Sequence, residues 1–215
     1  MKKKYSYVGV SFIILLFGIY VVRNLDSRVN DNELIQDNRL NKVDKKGGNT
    51  NGLFKFNKVP DFEFTNHNDK VITNKNFEGK VYVVEFFFTT CPSICPIMNR
   101  KMIDVQNEFY GNPNFGIASF SITPDIDSPK VLKEYRKTHN ITSANWQMLT
   151  GKNQEYVYDL SNKGFKLYAG NGDGEHGGFE HSGLFALIDK NGMIRSRRDE
   201  HGNPIMYYRA LDENG

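Results

Sequence analysis

The chain contains two cysteines, Cys91 and Cys95, in the run T-T-C-P-S-I-C-P-I-M at residues 89–98. Two thiols at that spacing have three chemical uses. They close a disulfide when their Cα atoms come within roughly 4.4–6.8 Å, which a turn permits. They exchange disulfides with a partner through a thiolate. They bind a soft metal, for which a thiolate pair selects Cu(I) or Zn(II) over hard cations. A structural disulfide or two inert buried thiols is the competing use of any cysteine pair, and a position at the carboxyl end of a core strand weighs against it. Two sulfurs alone rarely complete a metal site, so a third donor is sought among the five histidines. His67, His139 and His201 stand in polar contexts and read as solvated surface residues. His176 lies in the glycine-rich stretch at 171–178 and reads as loop. His181 stands out because it immediately precedes the apolar run G-L-F-A-L-I-D, at the mouth of a sheet, with Phe179 and Phe185 as apolar cover. Its role stays open on the residues alone.

The elements around the cysteines follow from the pattern. Residues 81–88, V-Y-V-V-E-F-F-F, are β-branched and aromatic without clean alternation, as a strand buried on both faces reads. Pro96 is placed as the first residue of a helix carrying Ile97, Met98, Met102, Val105 and Phe109 on one side. A residue before proline is pushed out of the α region, which predicts Cys95 as the N-cap. The amides and dipole at a helix N-terminus favour a thiolate there. Upstream, residues 54–66 alternate as one or two half-buried strands, and residues 71–77 return toward the core. Downstream, residues 115–122 read as a second core strand, reached by a β-α-β crossover that implies parallel pairing. Asp127 or Ser128 caps a helix with Pro129 in its first turn. Residues 146–150 form a third strand, and a helical segment starts at 153. Residues 183–189 and 193–197 form a β-hairpin turned at Lys190-Asn191-Gly192. The expected fold class is α/β: a central mixed β-sheet flanked by helices, as in thioredoxin-like folds, with an N-terminal transmembrane helix.

The amino end differs from the rest. Three lysines, Lys2 to Lys4, precede an uncharged stretch at 5–22 that spans roughly 27 Å as a helix. No small-residue cleavage site follows it, so it reads as a signal anchor with its lysines in the cytoplasm and the remainder exported; a cleaved signal peptide is the alternative. The expected division is residues 1–23 as cytoplasmic tip and anchor, 24–52 as a polar linker, and 53–215 as the folded domain. The net charge of +3 over 215 residues, without a basic face, excludes nucleic-acid binding as an expectation.

Three segments carry a family resemblance: T-T-C-P-S-I-C-P-I-M at 89–98, F-S-I-T-P-D-I-D-S-P at 120–129, and E-H-S-G-L-F-A-L-I-D at 180–189. Together they resemble the SCO/SenC family of thioredoxin-like, copper-binding assembly proteins. That resemblance implies copper, as Cu(I) or Cu(II), held by Cys91, Cys95 and His181. It implies a metallochaperone rather than a turnover enzyme, delivering copper to, or preparing the thiols of, the dinuclear copper centre of cytochrome c oxidase. The implied partners are the copper-centre subunit of that oxidase and a periplasmic thiol reductant. The implied location is the bacterial inner membrane, single-pass, with the C-terminal domain in the periplasm. The alternatives are a membrane-anchored thiol-disulfide oxidoreductase using Cys91 and Cys95 as its redox pair, and a zinc-binding structural module. The chain departs from the family at Thr123, where aspartate is common, and at Glu180, where aspartate usually stands beside the histidine. After Tyr208 only R-A-L-D-E-N-G follows, so the expectation is that the family's closing helix is missing or the chain is cut short.

Overall fold

The structure, a computed structural model, describes residues 11, 13–17, 19–20, 53–172, 178–199, 201 and 203–210. The chain divides into two units, residues 1–50 and 51–215. In the first, Ser11 and residues 13–17 and 19–20 are helical. Among the described residues no helix is long and apolar enough to cross a membrane. The rest of the expected span at 5–22 lies outside the described residues, as do the expected linker at 24–52 and His176.

The second unit runs β1 (Phe54–Lys58), β2 (Glu63–Asn66), β3 (Val71–Thr73), a 3-10 turn (Asn74–Phe77), β4 (Val81–Phe87), α1 (Ile94–Glu108), β5 (Phe115–Ser121), α2 (Pro129–Thr138), β6 (Trp146–Thr150), α3 (Gln154–Asp159), a π-helical turn (Leu160–Phe165), β7 (Ala169–Asn171), β8 (Phe179–His181), β9 (Leu184–Ile188), β10 (Met193–Arg198), β11 (Pro204–Ile205) and β12 (Tyr208–Arg209). The main sheet has the order β1-β10-β9-β4-β5-β6-β2-β3, with β11 and β12 added beside β10 and β9. β4, β5 and β6 are parallel neighbours and their other partners are antiparallel, so the sheet is mixed as expected. A separate two-stranded sheet, β7-β8, stands apart from it.

Sequence chemistry explains these elements. All seven residues of β5 are buried, the consequence of a parallel strand covered on both faces. Phe62, Phe64, Phe86, Phe120 and Phe165 fill one side of the sheet, with Phe120 in ring contact with the other four at centroid distances of 4.8–6.0 Å. The hairpin turn uses Gly192 at φ 74°, and Asp189 accepts from the backbone N–H of Asn191 and Met193 while pairing with Arg195 Nε at 2.7 Å. At α2 it is Ser128 that caps, accepting from Val131 N–H, with Pro129 in the first turn. Asp127 points elsewhere.

Three expectations are corrected. α1 starts at Ile94 with Ser93 as N-cap, which places Cys95 inside the first turn and Pro96 after it. Proline is tolerated there because first-turn amides have no intrahelical acceptor. The inner face of α1 is Cys95, Met98, Met102 and Gln106, and Phe109 is exposed, stacking on Phe115 at 4.3 Å. His67 is buried rather than solvated: its N–H donates to Met148 O, which draws the turn after β2 against β6.

Candidate metal centre

Cys91 sits between the end of β4 and the start of α1, and Cys95 in the first turn of α1. Both are free; Cys91 is half-buried and Cys95 buried. β8 ends at His181, and its pairing with β7, together with Ser182 N–H donating to Tyr168 O at 2.8 Å, carries the imidazole to the cysteines from 86 residues away. Gly183 then lets β9 pass close to α1, since a Cβ there would stand 3.0 Å from Ile94 Cγ1.

The three candidate ligand atoms lie within 4.8 Å of one another. Cys95 Sγ is 3.0 Å from His181 Nε2, and His181 Nδ1 is 3.1 Å from Ser182 O. A proton on Nδ1, donated to that carbonyl, leaves Nε2 as the free donor facing the sulfurs. The ring meets Phe88 edge-on at 5.8 Å. A cavity of about 250 Å³, lined by residues that include Phe88, Tyr168, Phe179 and Glu180, opens beside Cys91 and His181. Another cavity, of about 410 Å³, between α1 and the β9 side of the sheet, is lined by neither thiol nor imidazole.

The helix start acts on a different thiol from the one expected. Cys95 N–H donates to Cys91 Sγ at 3.4 Å, so the first-turn amide serves Cys91. Hydrogen bonding from the Cys95 thiol pulls the Cys91 thiol down to about 3; burial opposes this, and His181 and backbone N–H groups add to it. Cys95 is pushed far up by holding the shared proton, by burial and by the Cys91 charge. In reduced, metal-free protein at pH 6, iodoacetamide is therefore expected to modify Cys91 at least about tenfold faster than Cys95. Peptide mapping after timed quenching reads this, and equal labelling would contradict the ordering.

Two buried acids stand near the site, Glu85, which sequence reading passed over, and Asp127, which it read only as a candidate helix cap. Glu85 is the one charged residue of β4, buried at 4% exposure, and accepts from Ser119 Oγ at 2.6 Å, which in turn accepts from Trp146 Nε1 at 2.8 Å. A lone glutamate inside V-Y-V-V-E-F-F-F was the available signal. Asp127 is fully buried and accepts from Thr89, Ser121 and Thr123. No local pattern announces that reach.

Burial raises the Glu85 carboxyl from 4.5 to about 7, against the Ser119 bond and the His181 charge. Burial, with help from Arg136, lowers His67 from 6.5 to about 4. The raised carboxyl contributes stability that is present below pH 4.5 and lost as pH rises to about 7. The lowered imidazole contributes stability that is present above pH 6.5 and lost as pH falls to about 4. The two oppose each other across one window, within which each changes stability by at most about 1.4 kcal/mol per pH unit. In metal-free protein, Glu85→Gln is expected to leave a stability that falls on acidification, and His67→Gln one that falls as pH rises. Urea titrations of both variants at several pH values check this; parallel profiles would refute it.

The SCO1/SenC family model matches residues 51–214. The SCO1 protein homolog of Bacillus subtilis (strain 168) is 32% identical over 137 residues, 63% of this chain and 70% of that protein. Among solved structures, BsSco, described as a member of the Sco family of cytochrome c oxidase assembly proteins with a disulfide switch, aligns with a TM-score of 0.60 and 28% identity, covering 73% of this chain and 85% of that one. Bradyrhizobium japonicum ScoI with copper bound aligns with a TM-score of 0.57 and 22% identity, covering 66% and 90%, a likeness of fold.

Proposed function

This chain belongs to the SCO1/SenC family, and on that premise we propose that it is a copper carrier serving the dinuclear copper centre of cytochrome c oxidase. The observation that carries the reading is the convergence of Cys91, Cys95 and His181 within 4.8 Å. Copper is the cargo. Two thiolates and one imidazole suit its softness, and the donor set fits both Cu(I) and Cu(II). Cys91 offers a thiolate held by the Cys95 amide, Cys95 supplies the second sulfur from inside the helix start, and His181 presents Nε2 with its other nitrogen at a carbonyl. The cavity beside them gives a recipient protein a way to the ligands.

The recipient in this reading is the copper-centre subunit of the oxidase. A periplasmic thiol reductant keeps Cys91 and Cys95 reduced, because an oxidising compartment otherwise closes the dithiol. Residues 1–23 anchor the chain in a bacterial inner membrane, 24–52 tether it, and 53–215 work in the periplasm. The similarity to a protein described by a disulfide switch, together with the strongly lowered Cys91 thiol, favours a second reading: reduction or oxidation of partner cysteines by Cys91 and Cys95.

Titration of the reduced chain with Cu(I) under a competing chelator tests the first reading. The wild type is expected to retain one copper per chain and the Cys91→Ser, Cys95→Ser double variant none. Equal loading of the two overturns it. Loading with equimolar copper and zinc is expected to yield copper; zinc in the recovered protein returns the structural-module alternative.

A further inference from the structure

The run F-S-I-T-P-D-I-D-S-P at 120–129 has no task in the copper site as described, yet the second of its two aspartates reaches the cysteine turn. Asp127 is fully buried. Its Oδ2 accepts from Thr89 N–H at 3.2 Å, Ser121 Oγ at 2.6 Å and Thr123 Oγ1 at 3.0 Å, and its Oδ1 accepts from Thr89 Oγ1. The carboxylate is itself fixed, since Asp127 N–H donates to Thr123 O and Thr123 N–H donates to Ser121 Oγ. Four donors converge on two oxygens, which is the capacity of a carboxylate and not of an amide.

What this holds is the segment between β4 and α1. Residues 88–93 belong to neither element, and the α1 N-cap, Ser93, makes no side-chain cap bond. Cys91 N–H donates to Phe88 O at 3.2 Å, a bond within the segment. The two bonds from Thr89 tie the segment to the loop after β5, two residues ahead of Cys91. Losing a group that orients a ligand from behind typically costs about 10–100-fold in metal affinity.

We propose that Asp127 is a positioning residue for Cys91: through Thr89 it fixes the cysteine turn so that the Cys91 sulfur stands in place for copper. This rests on the copper reading above. Thr89 is the place to test it, since changing Asp127 removes several buried bonds at once and endangers folding. Thr89→Val keeps the shape and removes one donor; Thr89→Ser restores that donor.

In metal-free protein, Thr89→Val is expected to speed amide exchange at Thr89 and Cys91 about tenfold, with Thr89→Ser at the wild-type rate. With Cu(I), the valine variant is expected to lose about tenfold in affinity and the serine variant to regain it. With Cu(II), the thiolate-to-copper absorption band is expected to weaken in valine and recover in serine. Unchanged exchange in Thr89→Val overturns the proposal, as does faster exchange with unaltered copper affinity, or serine behaving like valine. If the wild type holds no copper, the function reading fails on its own. The positioning of Cys91 through Thr89 and Asp127 is then judged by metal-free exchange and by Cys91 alkylation, both expected to accelerate in the valine variant, and no acceleration overturns it.

Discussion

Replacing His181 with alanine is expected to end the retention of one copper per chain, with a loss of at least about 100-fold in affinity, while the dithiol stays intact. The imidazole is the third donor atom within 4.8 Å, and the site without it keeps only the two sulfurs to hold copper. Its removal also opens the side of Cys95 that now faces Nε2 at 3.0 Å. The same variant separates the two functional readings, because thiol exchange needs both sulfurs and not the imidazole. A copper titration with a free-thiol assay alongside gives the answer. Copper retained at one per chain in His181→Ala would remove the three-ligand site. Loss of copper with disulfide exchange undiminished would leave the chain with both capacities and make His181 the residue that distinguishes them.

Phe120→Ala is expected to cost about 3–5 kcal/mol of domain stability, read as a lower urea midpoint at unchanged slope. The Phe120 side chain is fully buried, in ring contact with Phe62, Phe64, Phe86 and Phe165. Those rings come from the segment just before β2, β2, β4 and the π-helical turn, so the cavity has rigid walls on several elements and collapses poorly. Such a loss is a large fraction of the roughly 5–15 kcal/mol that holds a typical domain together. Copper binding is expected to protect the variant, since a ligand that binds the folded state alone adds stability by mass action. A loss below about 1 kcal/mol would mean the cluster repacks and does not bear on β4, the strand that presents the cysteines.

Much of the fold was legible because it is written in short-range pattern. A run of β-branched and aromatic residues gave β4 and β5; the spacing of a helix between them gave their parallel pairing; Asn191-Gly192 gave the β9–β10 hairpin. The cysteine turn was legible for the same reason, as was the prominence of His181 before an apolar strand. Boundaries and burial were less so. The proline at 96 suggested a helix beginning there, but a helix start depends on where backbone amides find acceptors, and Cys95 N–H finds the Cys91 sulfur. His67 sits among polar neighbours in sequence and is covered because β2 pairs with β6, some eighty residues away.

The sequence by itself determined that two thiols would stand at a strand-to-helix turn and that one histidine among five would precede a core strand. Local periodicity and proline placement suffice for that, because they act through bonds between near neighbours. Only the tertiary structure decided that the imidazole reaches Cys95, that the helix amide serves Cys91 instead of its neighbour, and that Asp127 reaches back to Thr89. The second spans only four residues and follows from where the helix starts; the first and third are contacts of a few ångströms between segments distant in the chain. Such contacts arise where sheet pairing closes the chain on itself, and residue spacing alone does not encode them.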